Sequence, residues 1–137
     1  MSGTRSPSAT APAIDALIVA HGQPSDPAPQ QAVIEALAAA VGALLPGARV
    51  RGATLAAPGA LESALPGVAL VYPFFMAEGW FTRRELPRRL ACAPLRQLPP
   101  FGTEPGLVAL IDAALGDARR VLLAGHGSQV SKTSTAT

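Results

Sequence analysis

The sequence predicts an α/β fold: a three-layer sandwich around a parallel four-stranded sheet, followed by the first strand of a second repeat. Three observations predict it. Short apolar runs of strand character alternate with helical spacings over short connections, the pattern of βαβ units. Right-handed crossovers then put helices on both faces of the sheet. The third is a phrase that occurs twice, Asp15-Ala-Leu-Ile-Val-Ala-His21-Gly22-Gln23 returning as Arg120-Val-Leu-Leu-Ala-Gly-His126-Gly127-Ser128. Its two histidines are the only ones in the chain. A separation of about one hundred residues is too long for a solenoid repeat and suits a duplicated α/β unit.

Each element follows from the residues in order. Residues 1–13 read as a disordered tail: Ser2 to Pro12 is rich in Ser, Thr, Pro and Ala and has no apolar core of a secretory signal. Ile14 to Ala20 is a near-continuous apolar run, expected of a strand buried on both faces. Gly22 to Pro29 is loop, with Ser25 or Asp26 placed to cap a helix and Pro27 at its first position. Val33, Ile34, Leu37, Val41, Leu44 and Leu45 then fall at helical spacing until Pro46-Gly47. Ala48 to Leu55, with Arg49 and Arg51 alternating, reads as a second strand nearer an edge, and Pro58 to Leu65 as a short helix.

Val68 to Phe75 is the third strand, apolar except at Pro73, and Gly79 breaks it. Thr82 with Glu85 resembles a capping box opening a helix towards Leu90, although Pro87 falls late within it. Leu95 to Leu98 is a short fourth strand. Thr103 to Leu115 is expected to be a helix with Leu107, Leu110 and Ile111 inward, and Val121 to Ala124 is the repeat's strand. The chain thus divides into a unit over 14–118 and the start of a second, incomplete repeat over 119–137.

Composition excludes several classes. At 137 residues, 49% hydrophobic and 15% charged, the chain has the make-up of a folded single domain. A net charge of +2 is mild. Its basic residues form one cluster and no nucleic-acid motif is present, so nucleic acid is not expected as a partner. No run reaches the ~20 apolar residues of a membrane helix. The one cysteine, Cys92, has no internal disulfide partner and reads as a buried thiol in a reducing compartment, so a cytoplasmic location is expected.

Placing the third strand beside the first, with the second on its far side, creates a switch point. Ligands of open α/β sheets bind at the carboxyl ends of strands there. Two loops converge on it: His21-Gly22-Gln23, and Met76 to Phe81. An imidazole at that edge can bind a divalent metal or accept a proton, and Gly22 allows a turn or a close ligand approach. The second loop runs through Met76, Ala77, Glu78, Gly79, Trp80 and Phe81. Trp80 and Phe81 are candidates for a flat apolar ligand surface. Arg83, Arg84, Arg88 and Arg89 follow, either as a solvated helix face or as partners for carboxylates. Histidine, aromatic surface and arginines together point to a large planar polyanion meeting a metal.

These residues resemble the sirohydrochlorin chelatases of the CbiX type, among the ATP-independent class II tetrapyrrole chelatases. The resemblance rests on the strand ending His21-Gly22, the Ala57-Pro58 turn and the segment Pro73 to Pro87, and covers most of Ile14 to Leu115. It implies a chelatase-like fold and insertion of divalent cobalt, iron or nickel, as substrate, into sirohydrochlorin for cobalamin or sirohaem, with no organic cofactor. It also implies a homodimer or a tandem fusion. His21 would hold the ion and remove pyrrole protons, and the arginines would meet the tetrapyrrole carboxylates. Where the family places a second metal-binding histidine followed by Asp-Ile-Pro, this chain has Phe81 and Glu85-Leu86-Pro87. Ala57 replaces an acidic residue. His21 is then the family's one remaining metal ligand in this half, with Glu78 a possible oxygen donor.

Two other classes stand beside this one. The first is a tetrapyrrole-binding half or module without catalysis. The second is a histidine phosphatase, whose first strand also ends in His-Gly; that chemistry needs an arginine before the histidine, where Ala20 and Gly125 stand.

Overall fold

The computed structural model describes residues 14–91 and 93–125. Four parallel strands form one sheet in the order β2-β1-β3-β4: β1 (Ile14–Ala20), β2 (Ala48–Thr54), β3 (Leu70–Pro73) and β4 (Arg96–Gln97). The expected switch point is therefore present, with β1 paired to β2 on one side and to β3 on the other. In register, Ala20 lies opposite Thr54 and Val19 opposite Pro73, so the carboxyl ends of three strands open onto one rim.

The apolar run of β1 is continuous because both of its faces are covered. Alternation along the strand sends Leu17 and Val19 to one face and Ile18 to the other. Leu17 and Val19 join Ala53, Val71, Leu61, Leu86 and Leu90 in the main core. That face is closed by α2 (Ala60–Ala64) and α3 (Leu86–Leu90). Ile18 meets Ile34 and Ala38 of α1 (Pro27–Leu44) on the other face. Of the apolar positions expected along α1, Val33 and Leu44 point to solvent, and the small Ala38 takes the buried place instead. Asp26 occupies the N-cap position without a side-chain bond, and Pro27 begins the helix.

The helix opened by Thr82 takes a different form from a capping box. A π turn spans Phe81–Glu85 and runs directly into α3. Its widened bond, from the Leu86 N–H to the Phe81 carbonyl, makes room for Pro87, whose ring would clash with the carbonyl four residues back in a regular helix. Pro87 also has no N–H to offer the carbonyl of Thr82. The Gln97 side-chain amide of β4 donates to it instead, at 2.8 Å. Thr82 Oγ1 accepts from the Gly79 N–H at 2.9 Å, and Glu85 turns to Arg88.

Three further expectations are corrected at the C-terminal side. The helix expected from Thr103 is a 3-10 turn at Phe101–Thr103 followed, after Pro105, by α4 (Leu107–Leu115). Leu110 and Ile111 of α4 are exposed, not inward, and no residue of α4 joins either apolar cluster of the sheet. Residues 121–125 form no strand. Val121, Leu122 and Leu123 are exposed, since a strand needs a neighbour to pair with and none pairs with them among the described residues. His126, Cys92 and the 1–13 tail lie outside the described residues.

Candidate functional site

The rim is built at the end of β1. Beyond Ala20 the chain still follows β2: the Leu55 N–H donates to the Ala20 carbonyl at 2.9 Å, and the Ala56 N–H to the His21 carbonyl at 3.0 Å. These bonds fix the His21 backbone. Gly22 then turns the chain with φ of +79°, a conformation that side chains resist. A Cβ at Gly22 would also fall 2.7 Å from the Cβ of Thr54. Thr54 is itself held in place, because Gln31 Oε1 of α1 accepts both its N–H at 2.8 Å and its hydroxyl at 3.0 Å.

The His21 ring is oriented by two contacts. Its Nδ1 lies 2.7 Å from the Gly22 carbonyl. A carbonyl only accepts, so Nδ1 carries the proton, and a neutral ring keeps its lone pair on Nε2. The second contact is with Phe81, edge to face, at 4.4 Å between ring centroids. Phe81 in turn stacks on Phe75 at 6.2 Å and meets Trp80 edge-on at 5.0 Å. The two loops separated by some fifty residues thus join over one edge, with an imidazole set against an aromatic wall. Met76 and Trp80 are exposed beside it, and Ala77, Glu78 and Gly79 are half-buried. Gln23 stands outward and donates to Ser25 at 2.8 Å.

The arginines are distributed differently from a single anion-binding cluster. Arg83 pairs with Glu78 at 3.0 Å, Arg88 with Glu85 at 2.7 Å, and Arg89 with Glu62 at 2.7 Å. Arg89 also donates to the Leu55 carbonyl at 3.1 Å, tying α3 to the end of β2. Its hydrogen bonds hold the Glu62 carboxyl below its ordinary range, and Arg88 does the same to Glu85. Among the described residues Arg84 has no carboxylate partner. Glu78 and Glu85 are the signal in the sequence that Arg83 and Arg88 would be answered locally. Phe75, just beyond β3, stacks on Phe81 and is part of the wall.

Among the described residues no three His, Cys, Asp or Glu side chains come together as a metal-binding group. The rim is an open edge with one wall. A groove of about 700 Å³ on the flank of α1 and β2, lined by Gln31, Glu35 and Arg51 among others, does not include His21. No helix among the described residues is long and apolar enough to cross a membrane.

No protein-family model matches the chain, and no curated protein does. A solved structure does match: that of CbiX, described as the terminal enzyme for biosynthesis of siroheme in denitrifying bacteria. The two share 54% sequence identity over 88% of this chain, with a TM-score of 0.69. The chain spans 59% of that protein's length. With identity at that level along most of its residues and the same fold, the chain belongs to the CbiX family.

Proposed function

We propose that the chain is one half of an ATP-independent chelatase. It inserts a divalent metal (cobalt, iron or nickel) into sirohydrochlorin or a related anionic tetrapyrrole, in cobalamin or sirohaem biosynthesis in the cytoplasm. The observation that carries this reading is His21 at the switch point, with Nδ1 occupied and its ring standing on the Phe81 wall, in a chain 54% identical to CbiX.

The chemistry follows from those groups. The Nε2 lone pair accepts an incoming ion or a pyrrole proton. Trp80, Phe81 and Met76 offer the flat apolar surface a macrocycle needs, with Gly22 and Gly79 allowing close approach. Arg84 answers a peripheral carboxylate, and Arg83 does so by exchanging Glu78 for the ligand. One imidazole cannot hold a divalent ion for long, and the ion is a substrate that must leave for the four nitrogens of the product. The opposite wall and the remaining donors come from a second copy, or from a second repeat that begins over residues 119–137.

A second reading is favoured by the lack of a three-donor group among the described residues: a half that binds and shapes the tetrapyrrole while another performs the chemistry. One titration separates them. Sirohydrochlorin is added to the full chain and its absorption followed, first alone and then with excess cobalt. The chelatase reading expects binding followed by a metallation spectrum faster than the protein-free control. Binding with no acceleration supports the module, and no binding overturns both.

A further inference from the structure

Among the described residues β2 is an outer strand of the sheet, paired to β1 on one side. The outward backbone groups of such a strand need partners or water. The Leu55 N–H turns in towards Ala20, so by alternation Gly52 and Thr54 turn their backbone groups outward. α1 lies against this stretch so closely that a Cβ at Gly52 would overlap the Ile34 carbonyl. From α1 the Gln31 side chain reaches over the edge. Its Nε2 donates to the Gly52 carbonyl at 3.2 Å, and its Oε1 accepts the Thr54 N–H at 2.8 Å. In a parallel ladder, a carbonyl and the N–H two residues on are answered by one residue of the next strand. The Gln31 amide takes that residue's place. It also donates to Glu35 at 2.7 Å and accepts the Thr54 hydroxyl at 3.0 Å, so its own hydrogen-bonding capacity is filled.

The stretch held in this way is the one that holds His21. The Leu55 and Ala56 N–H groups, bonded to the Ala20 and His21 carbonyls, lie between Thr54 and Ala57. The Thr54 hydroxyl oxygen accepts the Ala57 N–H at 3.2 Å and so fixes the far end of the turn. Thr54 is fully buried, and its Cβ lies directly against Gly22. Every link from the Gln31 amide to the His21 backbone is thus a hydrogen bond or the close contact at Gly22. Arg89 holds the Leu55 carbonyl from α3, so the turn keeps a second anchor when Gln31 is removed.

We infer that Gln31 is a positioning residue for His21. Standing where a neighbouring strand would pair, its amide sets the end of β2 and, through it, the height of the imidazole at the rim. The inference deepens the chelatase reading and rests on it. Trp80, Phe81 and Arg84 belong to the other loop and the turn that follows it, so Gln31 bears on the chemical step and not on the macrocycle's seat. A reacting group displaced by less than ~1 Å loses rate while the ligand still binds.

Gln31→Leu removes the amide and keeps a helix-forming side chain. Proton NMR of the histidine rings reads the placement directly, because the Phe81 ring beside His21 shifts its proton signals. The chain has two histidines, and the signals lost in His21→Ala identify that residue. In Gln31→Leu the His21 signals are expected to move, and kcat for cobalt insertion into sirohydrochlorin to fall about fivefold at unchanged KM. Thr54→Val, of the same shape without the hydroxyl, is expected to move the same signals, and it decides the matter if Gln31→Leu does not fold. Glu35→Ala removes an exposed partner of the same amide and is expected to leave signals and rate unchanged. Unmoved His21 signals in the folded variants overturn the inference. So does a loss confined to KM, or an unchanged rate beside moved signals. An unaltered chain that inserts no metal removes the chelatase reading by itself, and the ring signals then decide whether Gln31 places His21.

Discussion

β1 has an ionisable side chain near each end, Asp15 at the amino edge of the sheet and His21 just beyond the carboxyl edge. Asp15 is 8% exposed and is reached by two guanidinium groups from the neighbouring strand. Arg49 pairs with Oδ2, and Arg51 lies 3.4 Å from Oδ1 while donating to the Pro66 carbonyl at 2.8 Å. His21 has one hydrogen bond, to the adjacent carbonyl, and among the described residues its Nε2 has no hydrogen-bond partner. One strand thus holds a charge whose partners are all supplied and an imidazole with an atom left over. The first arrangement stabilises the fold, and the second is available for chemistry.

That contrast can be broken by substitution. Asp15→Asn leaves Arg49 and Arg51 without their anion and is expected to cost about 2–3 kcal/mol of unfolding free energy in urea, with tetrapyrrole binding intact. A loss of less than ~0.5 kcal/mol would remove the amino edge from the stabilising role. Gly22→Ala brings both an unfavourable φ and contact with Thr54, and is expected to cost about 2 kcal/mol and to weaken ligand binding by moving His21. Gly47, at the same φ of +79° with open space around it, supplies the control. Gly47→Ala should cost only about 1 kcal/mol, and equal losses at the two sites would show that Thr54 does not matter.

Smaller effects sharpen the comparison. Phe81→His sets a second imidazole beside His21, and cobalt affinity measured by calorimetry is expected to rise by about tenfold, or ~1.4 kcal/mol; no change would separate position 81 from the metal's path. The smallest effect concerns Glu62, whose carboxyl is held low by Arg89. A carboxyl lowered in the folded state stabilises above its unfolded pKa and loses that contribution as pH falls through the folded value. Glu62→Gln should therefore flatten the decline in stability below about pH 4.5 by less than ~1 kcal/mol, since the pair is largely solvated. An identical acid profile in the variant would assign that decline to other groups.

Much of the rim was legible in the residues. Alternating apolar runs and helical spacings gave the parallel βαβ units, and once β3 is set beside β1 that adjacency brings His21 to the Met76–Phe81 loop. The π turn was not legible. Pro87 signalled that a regular helix could not run through it, but the solution depends on Gln97, a residue of another strand. The carboxylate partners of the arginines were out of reach for a similar reason. Runs of like charge are visible along a sequence, whereas Glu62, which answers Arg89, is distant in the chain and near only once α2 and α3 share a sheet face. The exposure of α4 was also beyond reach, because an apolar stripe states that something must cover it and not which molecule does.

The direct measurement is the initial rate of cobalt insertion into sirohydrochlorin by the unaltered chain and by His21→Ala, compared at equal folded fraction. The account expects the variant to lose at least about tenfold in rate while its urea midpoint stays within the range of a surface substitution. An active unaltered chain whose rate survives the loss of His21 would contradict it.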